Sequence, residues 1–233
     1  MDPILLILSV TIGGIMIGAG VHFMPVGGAP AAMATATGVG TGTAMLATGA
    51  GLTGLVTAAS MIGQPLYIIM IAGAIGAMMM MGITMFAANL IYVFGIGVVP
   101  AASKIDVDPI TGRSQPEFKT AGTEGHGVPT ICFVSGLIGG LLGGAGGGLI
   151  YYAVDAFAQT STFNFAIGDI IGIAAMFSLA VLFVNAVIAS YNIGGTTEGI
   201  HDPKFKRIGT GMIACGIASL MLGIFSIVVL GGI

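Results

Sequence analysis

The stretch FAIGDIIGIAAMFSLAVLFVNAVIA, residues 165–189, contains one acidic residue, Asp169, and no Lys, Arg or His. A helix needs roughly 20 apolar residues to cross the ~30 Å hydrocarbon core of a bilayer, and this run supplies them. It reads as a membrane span. Similar runs lie at Ile4–Gly20, Ala31–Ile62, Leu66–Val99, Val128–Ala156, Phe163–Ala189 and Ile208–Leu230. The expected fold is therefore all-α: a polytopic membrane bundle of about six transmembrane helices, occupying residues 1–233 as one integral domain.

Composition agrees with that reading. The chain is 56% hydrophobic and 6% charged, with a mean hydropathy of +1.07, far from a soluble domain. A net charge of -3 without a basic stripe leaves no electrostatic footprint for nucleic acid, which is excluded as a partner. The opening MDPILLILSVTIGGIMIGAG lacks the positive n-region of a secretory signal and reads as a retained first span. Cys132 and Cys215 are isolated in apolar runs and read as small buried hydrophobes.

All six basic residues fall in two loops. Residues 101–127 carry Lys104, Arg113 and Lys119, and residues 190–207 carry Lys204, Lys206 and Arg207. Two spans separate the loops, so they share a face, and the positive-inside rule makes that face cytoplasmic. Both termini are then outside, and His22–Pro30 becomes an internal turn. The runs 31–62 and 66–99 exceed one crossing, so one of them is expected to be broken, re-entrant or continued along the interface. TEGHGVP at 123–129 and TEGIHDP at 197–203 suggest repeated cytoplasmic entries or inverted halves.

Two segments carry helix-packing signals. Gly136, Gly140, Gly144 and Gly148 recur every fourth residue beside a second row, Gly139, Gly143 and Gly147. Small residues at this spacing let helix backbones approach closely, within the chain or against a neighbouring subunit. Residues 34–57 hold seven threonines, among them Thr37, Thr41 and Thr48. Their hydroxyls either satisfy local carbonyls and neighbouring helices or line a polar ion path. Gly49, Gly51 and Gly54 spell G-x-G-x-x-G, but no strand or βαβ unit surrounds them, so dinucleotide binding is rejected.

Ionisable groups in hydrocarbon are costly, and they line ion pathways, face bundle interiors or pair with neighbours. Asp169 is expected about 10 Å along the fifth span, as a cation ligand or as a polar residue at a subunit contact. Asp155 follows Tyr151 and Tyr152 near the outer end of the fourth span; it reads as a rim residue, or as an outer vestibule shared with Asp169. Asn89 and Asn185 read as interhelical glue. His22, His126 and His201 are placed at the cytoplasmic face for turn or docking chemistry rather than metal binding. No nucleophile–base pair or phosphate loop emerges, so no soluble-chemistry active site is expected in this chain.

Residues 21–54, VHFMPVGGAPAAMATATGVGTGTAMLATGAGLTG, and 123–136, TEGHGVPTICFVSG, closely resemble the D subunit of the archaeal sodium-translocating tetrahydromethanopterin:coenzyme M methyltransferase, and the likeness extends over nearly the whole chain. The resemblance implies a multi-pass component in the cytoplasmic membrane of a methanogenic archaeon, assembled with other membrane and soluble subunits. The complex moves a methyl group from a pterin carrier through a corrinoid to coenzyme M and exports sodium ions. It implies no cofactor in this chain, the corrinoid being carried by a partner subunit. Sodium is the implied cation, and this chain is expected to form part of its path or scaffold, with a pure membrane anchor or a stand-alone ion transporter as alternatives.

Overall fold

The structure, a computed structural model, describes residues 1–25, 41–93, 106–107, 109–112, 114, 128, 130–161, 163, 165–195 and 197–231, with backbone alone at 41–46, 88–89 and 91–93. Every named element among them is helical: α1 (Pro3–Phe23), α2 (Thr41–Ala59), α3 (Leu66–Val93), α4 (Thr130–Ala158), α5 (Ile167–Asn192) and α6 (Ile208–Val229), with a 3-10 turn at Pro203–Arg207 entering α6. Five of these helices are long and apolar enough to cross a membrane, and the part of α2 whose side chains are described, Ala47–Ala59, is a shorter apolar helix. The expected all-α bundle is present. α3 runs unbroken for 28 residues, and residues 31–40 of the expected second span lie outside the described residues.

Local chemistry sets the helix ends. Asp2 caps α1, its Oδ1 accepting from the Ile4 amide at 2.7 Å, and Pro3 occupies the first turn, where its missing N–H costs nothing. Gly63, at φ 85°, turns the chain between α2 and α3, a conformation a side chain would resist. The helices alternate in direction. At one end the Met1 ammonium donates to Ala156 O at 3.5 Å and to Thr160 Oγ1 at 3.2 Å, while Ser161 Oγ donates to Leu230 O, so both termini share that end. At the other end Ser135 Oγ donates to Phe23 O at 2.6 Å.

α4 is the central helix, packed against α1, α2, α3 and α5, while α1 is also covered by α6. Glycine makes this possible. A Cβ at Gly140 would lie 3.0 Å from Ala77 O, and one at Gly148 would lie 3.1 Å from Ile69 O. A Cβ at Gly73 would sit 2.6 Å from Gly144 O. The row Gly136, Gly140, Gly144 and Gly148 therefore faces α3. The second row does not stay together. Gly139 approaches α1, where a Cβ would meet Gly20 O at 2.6 Å, whereas Gly147 faces Leu55 of α2 and Leu182 of α5. Gly146, which belongs to neither row, completes the α1 contact opposite Gly13. All these contacts are within the chain, and backbone-to-backbone packing of this kind replaces the hydrophobic drive that lipid removes.

A side-chain pair joins α5 and α6 in the apolar interior. Asn185 on α5 and Ser219 on α6 are both fully buried, and Asn185 Nδ2 donates to Ser219 Oγ at 2.8 Å and to Val181 O at 2.8 Å. Asn185 is glue, as its sequence context suggested. A double-mutant cycle on Asn185→Ala and Ser219→Ala should give a coupling of ~0.6 to ~1.7 kcal/mol, read from thermal unfolding of the membrane protein; strict additivity would show that the pair contributes no interaction of its own.

Candidate functional site

At the end that carries both termini, the last turns of α4 and the turn that follows carry a ladder of polar side chains at helical spacing. Tyr151, Asp155 and Gln159 are four residues apart, so they stack along one face. Asp155 is only 5% exposed, and its Oδ2 accepts from Gln159 Nε2 at 2.6 Å. It lines a groove of about 500 Å³ whose walls are Ile62 and Gly63 of the α2–α3 turn and Ile167, Ile170 and Ile171 of α5. Tyr151 is fully buried, and its hydroxyl finds no hydrogen-bond partner among the described residues. Asp155 lies in the last turn of α4, and its side chain is buried rather than open to the outside.

Asp169 is placed differently from expectation. α5 begins at Ile167, not near residue 163, so Asp169 sits in the first helical turn and is exposed. Its Oδ2 accepts from the Ala166 amide at 3.3 Å, and its charge meets the positive end of the helix dipole. The expected depth of ~10 Å is thereby corrected to the first turn. Phe163 and Phe165, read as the start of the span, instead make an edge-to-face pair at 5.6 Å outside the helix. The structure brings Asp155 and the start of α5 to one groove, but the groove is lined by the isoleucines flanking Asp169 rather than by Asp169.

The threonines of α2 divide between local and interhelical bonds. Thr57 Oγ1 donates to Ala72 O of α3 at 2.9 Å, and Thr53 Oγ1 donates back to Gly49 O at 3.3 Å. Thr48 Oγ1 is buried without a partner among the described residues. Thr37 and the side chain of Thr41 lie outside the described residues, as do His126 and the rest of the TEGHGVP stretch apart from Val128.

The opposite end is closed by the connection between α5 and α6. Ile200 N donates to Ser135 Oγ at 3.0 Å, and Ser135 in turn ties to Phe23 of α1. Asp202 caps the 3-10 turn by accepting from Lys204 N at 2.9 Å, and Phe205 packs edge-to-face on Phe23 at 4.7 Å. His22 is not in a turn, as the sequence suggested. It lies in the last turn of α1, fully buried, because Gly211 leaves a slot that a Cβ would fill against its ring. His22 Nδ1 is 2.6 Å from Gly18 O, and its Nε2 is 2.8 Å from Asn192 Nδ2. A carbonyl only accepts and an amide nitrogen only donates, so the ring is neutral with its proton on Nδ1. Asn192 also donates to Arg207 O at 2.8 Å, and Arg207 donates back to Asn192 O at 3.1 Å.

This strap joins α1, α4, α5 and α6 through side chains the sequence reading did not connect. Ser135→Ala removes one donor and orphans the Ile200 amide, a cost of ~1–3 kcal/mol. Tryptic cleavage after Lys204, Lys206 and Arg207 should then accelerate about tenfold, the effect of ~1.4 kcal/mol on a local opening equilibrium. Unchanged cleavage would show that Ser135 does not hold the strap.

A glycine-packed bundle of apolar helices, with a polar strap at one end and a buried carboxylate at the other, defines a multi-pass membrane protein. The chain belongs to the family of tetrahydromethanopterin S-methyltransferase D subunits, whose family model matches residues 3–219. It is 64% identical to the D subunit of the tetrahydromethanopterin S-methyltransferase of Methanothermobacter marburgensis over 234 residues, covering 100% of both chains. Identity to the corresponding protein of Methanocaldococcus jannaschii is 55%, over 95% of this chain and 94% of that one. To that of Methanosarcina barkeri it is 49%, over 96% and 94% respectively.

Proposed function

We propose that this chain is a non-catalytic membrane subunit of a tetrahydromethanopterin S-methyltransferase complex in an archaeal cytoplasmic membrane, and that it carries part of the sodium path. In this reading methyl transfer to coenzyme M proceeds on a corrinoid held by a partner subunit. The positive-inside rule puts the strap, with Lys204, Lys206 and Arg207, on the cytoplasmic side, and the Asp155 groove and both termini outside. The single observation that carries the reading is the strap itself. It bonds to Ser135 at the start of α4, packs Phe205 on Phe23 at the end of α1 and clamps α5 to α6, so a partner that displaces it moves several spans together.

A plain membrane anchor is the competing reading, favoured by the density of backbone contacts around α4. Locking the strap separates the two. With Phe23→Cys and Phe205→Cys bridged by a short bis-maleimide in the reconstituted complex, methyl transfer should persist while the sodium moved per methyl group falls. An undiminished sodium-to-methyl ratio in the bridged complex would favour the anchor.

A further inference from the structure

We propose that Asp155, with Gln159 beside it and Tyr151 one turn deeper, forms a binding site for a single monovalent cation, entered through the groove between the α2–α3 turn and α5. The inference rests on the sodium-path reading only for the identity of the ion; the site itself stands on its geometry.

A carboxylate that is 5% exposed and walled by isoleucines is held in its charged form only if hydrogen bonds and a counter-charge replace its water. Asp155 receives one side-chain hydrogen bond, from Gln159, and no ion pair joins it to a basic group among the described residues. The Met1 ammonium, at the same end, is engaged instead by Ala156 O and Thr160 Oγ1. The groove in front of the carboxylate, about 500 Å³, has room for a cation with part of its hydration shell.

The ligand set follows from the ladder. Gln159 spends its amide nitrogen on Asp155, so its carbonyl oxygen remains available as a neutral ligand. Asp155 offers its second carboxylate oxygen. Tyr151 supplies the independent sign of a ligand: it lies behind the groove lining, and its hydroxyl is fully buried, unpartnered among the described residues and near enough to interact with the Asp155 charge. Charge decides the class of ion. One carboxylate neutralises one positive charge, whereas a divalent ion here would leave an excess charge against apolar walls, and calcium sites recruit more oxygen ligands, several of them anionic.

The test uses the intact complex in detergent, with a hydrophobic carbodiimide as the probe and peptide mass spectrometry as the readout. Ionic strength is held constant with choline, sodium or potassium chloride. Asp155 should be modified in choline and protected by sodium, the rate falling about tenfold once sodium reaches roughly ten times its Kd. Gln159→Leu and Tyr151→Phe should each move protection to higher sodium without abolishing modification. Equal modification in choline, sodium and potassium would identify a permanently protonated carboxyl and overturn the proposal.

Should Asp155 stay unmodified under every condition, equilibrium binding of radioactive sodium decides. Asp155→Asn must then remove one site per chain, and unchanged stoichiometry overturns the proposal. Protection by sodium together with undiminished transport in the strap-locked complex leaves the site standing and removes the strap reading. Loss of transport in the locked complex with no protection does the reverse.

Discussion

Gly144→Leu should abolish accumulation of the assembled complex in the membrane. The substitution drives a side chain into the α3 backbone, where Gly73 O and Ala77 Cβ already close the gap. The blocking atom is a main-chain carbonyl, which cannot swing aside as a side-chain tip can, so α3 and α4 must separate. Overpacking alone costs ~1–3 kcal/mol. The loss here is greater, because α4 contacts four other helices and a displacement on one side disturbs the others. Gly144→Ala should be intermediate. Gly172→Ala on α5 serves as the control, since nothing lies within 4 Å of its Cβ, and it should be neutral or slightly stabilising. Yield and thermal unfolding of the membrane-extracted protein give the comparison. Equal behaviour of the Gly144 and Gly172 variants would show that the α3–α4 backbone contact is not what holds the bundle.

The glycine spacing was legible in the sequence, but its partners were not. Four-residue periodicity identifies a ridge on α4, whereas the assignment of one ridge to α3, of Gly139 and Gly146 to α1, and of Gly147 to α2 and α5 depends on how whole helices cross. The apolar runs likewise revealed the bundle. The depth of Asp169 did not follow from them, because Phe163 and Phe165 are as apolar as a span yet pair with each other before the helix begins. A shift of a few residues in the helix start turned an expected intramembrane acid into an exposed first-turn residue.

Asp155 shows the opposite case. Its spacing from Tyr151 and Gln159 was readable, and an i, i+4, i+8 series of polar groups near a helix end could have marked one polar face. What the sequence lacked was the groove, built by α5 and the α2–α3 turn from residues distant along the chain. His22 failed for a similar reason. Its slot is created by Gly211 on the last helix, which no local pattern announces.

Asp155→Asn is the second large effect. The amide keeps the shape of the carboxyl and its contact with Gln159, so the fold should persist while the anionic ligand is lost. At limiting sodium, transport should fall at least about tenfold, the consequence of losing ~1.4 kcal/mol or more of ion affinity. Asp169→Asn removes only an exposed charge near a helix terminus, worth ~0.3–1 kcal/mol to that end, and should leave the ratio of sodium moved to methyl transferred unchanged.

The most direct measurement is sodium uptake into proteoliposomes containing the whole complex, driven by methyl transfer and compared between wild type, Asp155→Asn and Asp169→Asn. A cation site at the Asp155 groove requires that Asp155→Asn lose sodium transport while Asp169→Asn retains it. Wild-type transport in the Asp155→Asn complex, or loss confined to Asp169→Asn, would contradict it.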